Sequence, residues 1–165
     1  MIGLTLDPET LVRTPGLRDA LLALNNGSAV ETSWLEPARI EHMVASAFAA
    51  LHVPEAKALL LTFDQSADYD SPNFLWFRER LERFVYIDRI IVGEQARGLG
   101  LARQLYEQLF DLAREAGHSL VTCEVNSTPP NPGSDAFHAA MGFAEAGSMT
   151  FTEGKSVRYL TRRLD

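Results

Sequence analysis

The sequence predicts a mixed α/β fold, because two kinds of hydrophobic pattern alternate along its 165 residues. Short runs rich in β-branched and aromatic residues, such as Phe84–Val92, are typical of strands. Longer segments with apolar residues three or four apart, such as Leu101–Ala116, are typical of helices with one buried face. The length and the 46% apolar composition predict one domain over residues 1–165 with a sizeable core.

The first half of the chain predicts two strands and three helices. Pro15 follows a possible cap at Thr14, Gly27 and Pro54 are stop signals, and Pro72 fits the first position of a short helix. The predicted elements are a strand at Ile2–Leu6, a helix from Thr14 to Asn26, a helix from Ile40 to Leu51, a strand at Ala58–Phe63 and a helix at Asn73–Arg80.

The second half predicts a strand, a glycine turn and a long helix, and then ends in a hairpin. Gly117 ends the long helix, and the prolines of the loop 127–133 forbid regular structure there. The predicted elements are strands at Phe84–Val92, Ser119–Asn126, Phe143–Phe151 and Ser156–Leu164, with helices ending near Ala116 and spanning Ser134–Met141.

Composition and charge exclude several classes of protein. A net charge of −7, with Arg162–Arg163 as the only basic cluster, argues against nucleic acid as a partner. No apolar run is long enough to cross a membrane, and the first residues lack the layout of a signal peptide, so we expect a cytoplasmic protein without a membrane partner. The single cysteine, Cys123, and four histidines without paired spacing predict neither disulfides nor a metal site.

The turn before the long helix reads Arg97-Gly98-Leu99-Gly100-Leu101-Ala102. Glycines let the backbone approach a ligand closely, and the first amides of a helix have no partner within it. Those amides and the positive end of the helix dipole favour an anion such as a pyrophosphate. The same glycines also allow a tight strand-to-helix turn with no ligand, so the turn alone leaves both interpretations open.

Two familiar phosphate sites fit this turn poorly. A dinucleotide fold has a third glycine where this chain has Arg103, and its turn usually lies near the start of the chain. A P-loop ends in Gly-Lys-Ser or Gly-Lys-Thr, and this turn has no lysine. A nucleotide- or phosphate-binding protein is therefore a weaker alternative.

Two motifs resemble those of the GNAT superfamily of N-acetyltransferases. Gln95–Gly100 and the overlapping Arg97–Ala102 both resemble its acetyl-CoA signature, Gln/Arg-x-x-Gly-x-Gly/Ala. The segment Asn131–Phe143 is similar to its Asn-x-x-Ala/Ser-x-x-Phe-Tyr-x-x-x-Gly-Phe pattern. The motifs occur in the family's order, and the resemblance covers roughly Val85–Phe151.

The resemblance implies a splayed, mostly antiparallel mixed sheet with helices on both faces and acetyl-CoA, without a metal, in the central cleft. It implies an N-acetyltransferase that acts by direct attack of a small-molecule amine or a peptide on the acetyl group in a ternary complex. A homodimer through the C-terminal strands is compatible with the sequence. The cofactor-binding residues carried over are Ile90, Ile91, Val92, Arg97, Gly98, Leu99, Gly100, Leu101, Ala102, Asn131 and Ser134.

The candidate bases lie on two predicted strands. Acyl transfer needs a group that takes the amine proton. Alternation along the strand predicts one face with Tyr86, Asp88, Ile90 and Val92 and another with Val85, Ile87, Arg89 and Ile91. If the first face borders the cleft, Asp88 is the first candidate base and Glu124 the second, although either carboxylate could instead form an ion pair, for example with Arg89 or Arg103.

His138 stands where the resemblance places a tyrosine that acts as general acid for the thiolate. A histidine can donate a proton near neutral pH, or it can simply pack against its helix. It is therefore the candidate acid, with its role open.

The acceptor site has weaker signals. The segment Asp64–Arg80 is longer than a strand connection requires, and we expect it to form part of the acceptor wall. Its aromatic residues and the strand tyrosine give three candidate substrate-binding residues, Tyr69, Trp76 and Tyr86. The main alternative is a non-catalytic acyl-CoA-binding or sensor module, which would bind coenzyme without turnover.

Overall fold

A computed structural model describes residues 2–29 and 32–165. The strands form a seven-stranded sheet in the order β1-β2-β3-β4-β5-β7-β6. The strands are β1 Leu4–Thr5, β2 Ala49–Val53, β3 Ala58–Asp64, β4 Val85–Val92, β5 Leu120–Thr128, β6 Ala144–Thr150 and β7 Ser156–Arg163. The helices are α1 Pro8–Arg13, α2 Leu17–Asn26, α3 Pro37–Ser46, α4 Pro72–Arg78, α5 Leu101–Glu115 and α6 Pro132–Ala140.

The predicted mixed α/β class is confirmed, and the sheet is mostly antiparallel. The one parallel pair of neighbours in the described sheet is β4 with β5. One face is covered by α2, α3 and α4, which contribute Leu21, Ile40 and Phe77 to one core cluster. The other face is covered by α5, whose apolar residues join a second cluster. None of the helices in residues 2–29 and 32–165 is long and apolar enough to cross a membrane.

The predicted start of the first helix at Thr14 is wrong. The Asp7-Pro8 pair begins a short helix earlier, because the Asp7 side chain accepts a hydrogen bond of 2.7 Å from the Thr10 amide. Thr14 ends that helix, and its own amide donates to the Thr10 carbonyl. The next helix starts at Leu17 after Gly16, which has a φ of 79°.

The predicted helix from Ile40 to Leu51 is also wrong in its second half. The helix ends at Ser46, and Ala49–Val53 forms strand β2. Each residue of β2 pairs with β3, and the Thr62 hydroxyl donates to the Ala49 carbonyl at 2.7 Å. The apolar pattern of this segment suits either structure, so the pairing with β3 decides it.

A bulge in β4 overturns the predicted alternation of its faces. Leu61 pairs with Arg89 and Thr62 with Ile87, so Asp88 is an extra residue on this strand. A bulge reverses the sides on which later residues lie. Tyr86 consequently packs in one core cluster, whereas Ile90 and Val92 pack against the other.

The central strands part soon after they meet. Among the described residues, β4 and β5 pair only at Val85 with Val121 and at Tyr86 with Thr122. Both strands then continue for several residues, to Val92 and to Thr128. The parted strands leave main-chain groups of β4 facing an open cleft, so the sheet is splayed in its middle.

One aromatic stack packs helix α4 against the outer hairpin, whose strand β7 pairs with β5. Trp76 stacks on Tyr159 with ring centroids 4.2 Å apart, and Arg80 lies 4.0 Å from the ring centroid of Trp76. A Cβ atom added to Gly147 would come within 2.5 Å of the Trp76 ring. The absence of a side chain at position 147 therefore allows β6 to pass over Trp76.

We expect Gly147→Ala to lower the free energy of unfolding by about 1–3 kcal/mol, because the methyl group must displace the stacked Trp76 ring. Urea unfolding followed by Trp fluorescence measures the change. Ser148→Ala, at an exposed position on the same strand, is the control and should change stability little. An unchanged midpoint for Gly147→Ala would mean that the ring is not held there.

Candidate active site

The cleft between β4 and β5 opens into a cavity of about 340 Å³. Side chains from β4, β5, α5 and α6 meet in its wall, although they are far apart in the sequence. Those that carry chemistry are Asp88, Tyr106, Glu124, Asn131, Ser134 and His138. Five of these six are among the residues singled out from the sequence, and Tyr106 is not.

A second cavity, of about 720 Å³, lies at the start of α5. Val92 forms its edge at the end of β4, so it lies next to the β4 segment that borders the first cavity. The wall is largely apolar, with Phe137 and Met141 from the side of α6. Of the predicted cofactor residues, the ones that line it are Val92, Arg97, Gly98, Gly100, Leu101 and Ala102.

The glycine turn leaves the start of α5 open. Gly98 and Gly100 have φ values of 81° and 74°, which favour glycine. Gly100 is the N-cap residue and has no side chain that could accept the first amide hydrogens of the helix. A Cβ added to Gly98 would meet no atom within 4 Å, so the space above the turn is free. The arrangement suits an anion held by main-chain amides.

Asp88 lies in a buried network and does not stand alone. One of its carboxylate oxygens accepts a hydrogen bond from the Tyr69 hydroxyl, and the other lies 2.6 Å from Nε of Arg89. Both charged side chains are only 5% exposed. Arg89 also donates to the side chain of Asn25 at 2.8 Å, and Asn25 donates to the Ser33 carbonyl. Asp88 thus has an ion-pair partner, one of the two roles that the sequence left open.

Glu124 faces the same cavity with neutral partners. The Tyr86 hydroxyl donates to both of its oxygens at 2.8 and 2.9 Å, and the Asn73 amide donates at 3.1 Å. Burial, followed by the nearby charge of Asp88, raises the pKa of Glu124 to about 8. A carboxyl group with such a pKa exchanges a proton near neutral pH, which suits a general base.

Helix α6 brings a histidine to the opposite wall of the cavity. Asn131 caps the helix by accepting a hydrogen bond from the Ser134 amide at 3.3 Å. His138 is 4% exposed, and its Nε2 lies 2.8 Å from the hydroxyl of Tyr106, a residue of α5. Burial lowers the pKa of His138 below its usual value.

Not all of the predicted site residues line the two cavities. Ile90 lines the first cavity, but Ile91 points into the core on the other face of the sheet. Leu99 is 63% exposed at the tip of the turn. Trp76 packs on Tyr159 under Gly147, whereas Tyr86 reaches the site through its hydrogen bonds to Glu124.

Sequence reasoning missed two residues that support this site. Asn73 donates to Glu124, and Tyr106 contacts His138. Arg89, which the sequence offered as an ion-pair partner, does pair with Asp88. For Tyr106 there was a usable signal, because a buried tyrosine hydroxyl on the apolar face of a helix needs a polar partner. For Asn73 the partner is set by a tertiary contact between α4 and β5, and no local pattern marks it.

Several solved structures share this fold across almost the whole chain. An Escherichia coli ribosomal-protein-S18-alanine N-acetyltransferase aligns with a TM-score of 0.64 at 16% identity, over 99% of this chain and 93% of that one. A Salmonella typhimurium protein bound to its cofactor acetyl-CoA gives 0.68 at 18% identity, over 99% and 93%. An aminoglycoside 6′-N-acetyltransferase complexed with coenzyme A gives 0.72 at 12% identity, over 100% and 98%. At these identities the likeness concerns the fold.

A model of the acetyltransferase (GNAT) family matches residues 68–143. This segment runs from the loop before α4 to the end of α6, and it contains the glycine turn and both parted strands. No curated protein sequence matches the chain.

We expect Arg89→Leu to lower the free energy of unfolding by about 3–5 kcal/mol, because it leaves the Asp88 carboxylate buried without its counter-ion. Urea unfolding at neutral pH measures the loss. Arg13→Leu is the matched control, since it breaks an ion pair with Glu9 in which both side chains are mostly exposed, and it should cost far less. Equal effects of the two variants would contradict the buried-pair interpretation.

Proposed function

Because a model of the acetyltransferase (GNAT) family matches residues 68–143 and the fold is that of solved N-acetyltransferases, we propose that the protein is an N-acetyltransferase of this family that transfers an acetyl group from acetyl-CoA to an amine. The observation that carries the proposal is the parting of β4 and β5 beside an open helix start, with Glu124 in the wall of the same cleft. Residues 1–165 would act as one acyltransferase domain. A cytoplasmic location is part of the proposal, and the buried free thiol of Cys123 fits a reducing compartment.

The start of α5 fits the pyrophosphate of coenzyme A. The free amides of its first turn and the helix dipole favour an anion, and the exposed Arg97 adds a positive charge at the rim. The apolar wall of the second cavity fits the uncharged part of the cofactor next to the phosphates. The main chain of Ile90, Ile91 and Val92 would guide that part along β4 toward the first cavity, and Asn131 and Ser134 would flank it from α6.

The parted strands would orient the acyl group. The thioester of acetyl-CoA supplies an activated acetyl group when it is bound. Main-chain amides on the open edge of β4 have lost their strand partner, so they can donate hydrogen bonds to a carbonyl oxygen and polarise it.

Glu124 is the residue that we propose as the base. Its partners, Tyr86 and Asn73, are neutral donors that hold the carboxyl group without supplying a competing charge. Asp88 is instead bound to Arg89, and its charge helps to raise the pKa of Glu124. We therefore assign Asp88 the role of raising the pKa of Glu124 through its charge, and Glu124 the role of taking the amine proton.

The acceptor would enter beside Tyr69 and the two carboxylates. Tyr69, Asn73, Asp88 and Glu124 all border the first cavity, so a positively charged amine meets acidic and hydrogen-bonding groups there. A small-molecule amine and a peptide amine both fit this description. A screen of amines for the release of coenzyme A thiol tests the proposal, and coenzyme binding without release on any amine would favour a binding module.

We expect Gly98→Ala to weaken the binding of coenzyme A roughly tenfold, because a side chain at positive φ costs about 1–2 kcal/mol and crowds the ligand. Isothermal titration calorimetry with coenzyme A measures the dissociation constant. Gly16→Ala is the matched control, since Gly16 has a φ of 79° and equally free space but lies at the start of α2. A similar loss in both variants would contradict binding at this turn.

We expect Glu124→Gln to lower kcat by roughly 10²-fold and to abolish the rise in rate that Glu124 causes near pH 8. The carboxylate is the active form, so the wild-type rate increases as the pH passes through the pKa of about 8. Initial rates of thiol release between pH 6 and 10, for the wild type and the variant, measure this difference. Glu145→Gln, at an exposed position, is the control.

The same residue gives a second readout that needs no acceptor. The folded protein keeps the Glu124 proton above the usual carboxyl pKa of 4.5, so wild-type stability falls as the pH rises from there through about 8. The Gln variant lacks this fall. Identical pH dependences of the urea midpoint in the two proteins would contradict the raised pKa.

A further inference from the structure

A buried pair, Tyr106 and His138, remains without a role in base catalysis or cofactor anchoring. Tyr106 has no exposed surface and His138 is 4% exposed, yet both border the cavity where the strands part. Tyr106 lies between the apolar residues Leu105 and Leu109 on α5, a position where a phenylalanine would fill the same space. Burying this hydroxyl group away from water costs free energy, so its presence here calls for a chemical explanation.

The hydrogen bonds of His138 fix its tautomer. Nδ1 lies 2.8 Å from the Ser134 carbonyl oxygen, which can only accept, so Nδ1 carries the proton. The pKa of His138 is lowered by burial, so the ring is neutral and Nε2 has a free lone pair. Tyr106 consequently donates its hydroxyl proton to Nε2 across 2.8 Å.

This arrangement leaves His138 unable to act directly as an acid. One nitrogen donates to the Ser134 carbonyl, and the other accepts from Tyr106. The hydroxyl oxygen of Tyr106, by contrast, keeps a lone pair, and its O–H bond can rotate about the ring bond toward another acceptor in the cavity. The phenol is therefore the movable proton donor on this wall.

We propose that the Tyr106 hydroxyl donates the proton to the departing coenzyme A sulfur, and that His138 is a positioning residue that holds this hydroxyl in place. The proposal rests on the acetyltransferase function proposed above. Tyr106 comes from α5, whereas the resemblance would have placed the acid at position 138 on α6. In this protein the acid therefore lies on α5, and the residue at position 138 on α6 positions it.

Each proton that moves in the reaction has a donor and an acceptor among the reactants, Tyr106 and Glu124. The amine nitrogen forms a bond with the thioester carbon, the C–S bond breaks, and its electron pair goes to sulfur. Sulfur takes the phenolic proton of Tyr106, while Glu124 takes the proton that the amine nitrogen loses. That proton returns from Glu124 to the Tyr106 oxygen through the solvent of the cavity, which both residues border.

Burial favours the transfer of the Tyr106 proton to the departing thiolate. The thiol of Cys123 lines the same cavity, and burial raises its pKa well above the usual value. A departing thiolate in the same surroundings is a stronger base for the same reason, so it competes with Nε2 for the phenolic proton. Burial also raises the pKa of Tyr106, which keeps the hydroxyl protonated before the reaction.

The first test compares wild type with Tyr106→Phe, which removes only the hydroxyl. We expect kcat for the best amine of the screen to fall roughly 10²-fold with acetyl-CoA as donor, while the KM for acetyl-CoA stays nearly constant. Independently of turnover, the ultraviolet absorbance of the thiolate reports the pKa of bound coenzyme A. We expect Tyr106→Phe to raise that pKa, because the bound thiolate loses its donor.

The control for the thiol titration is Tyr159→Phe, which also removes a buried phenol hydroxyl but one that donates to Asn73. It should leave the pKa of the bound thiol unchanged. Unchanged kcat and thiol pKa in Tyr106→Phe would overturn the assignment. If the wild type acetylates no amine but still shows the Tyr106-dependent thiol pKa, the hydrogen bond from Tyr106 to the coenzyme A sulfur stands, whereas the proposed function, and with it the role of Tyr106 as acid, fails.

Variants of His138 separate positioning from direct proton donation. His138→Gln keeps an acceptor for the Tyr106 hydroxyl, and we expect its rate to lie close to that of the wild type. His138→Leu removes the acceptor, so we expect its rate to fall. This fall should largely disappear when the same substitution is made in the Tyr106→Phe variant. A loss in His138→Gln as large as that of Tyr106→Phe would show that the histidine itself is the acid, and would overturn the proposal.

Discussion

The separation of β4 from β5 is the constraint on which the rest of the site depends. A buried strand normally pairs its main-chain groups on both sides, and leaving them unpaired is costly. Here the parallel pair stops after Tyr86 and Thr122, yet both strands continue. Such an edge is stable when it faces a cleft that solvent or a ligand can fill. The open edge and the cleft are therefore one feature, and the bulge at Asp88 lies where it begins.

The charges beside the cleft act through burial and pairing. Asp88 and Arg89 are both almost fully buried, so each stabilises the charged form of the other. Glu124 has only neutral partners, so burial and the charge of Asp88 act on it without compensation and raise its pKa to about 8. Two carboxyl groups in one cavity thereby differ, because Asp88 forms an ion pair with Arg89 whereas Glu124 can exchange a proton near neutral pH.

Helices α5 and α6 each bring groups to the cleft. The start of α5 presents free amides at the glycine turn, and the second turn of the same helix carries Tyr106 under the cavity. Helix α6 starts at Asn131 and brings His138 against Tyr106. Because both helices flank the second cavity as well, a ligand along β4 would contact anion-binding groups and proton-transfer groups of the same two helices in succession.

The sequence by itself determined the fold class, the glycine turn and most of the second half of the chain. There the strands and helices have strong periodicity and clear stop signals, so the bounds of β4, β5, α5 and β7 differ from the predictions by only a few residues. Tertiary structure alone decided that Ala49–Val53 is a strand and not the end of a helix, since an apolar segment of that length suits either state until β3 offers a partner. It also decided which side of β4 each residue occupies, because one inserted residue reverses the alternation. The sequence identified Asp88, Glu124 and His138 as candidates. Only the packed fold supplied Asn73 and Tyr106 as partners of Glu124 and His138, because hydrogen bonds between distant segments exist only once the chain has folded. The fold also decided that Asp88 pairs with its sequence neighbour Arg89 in a buried position.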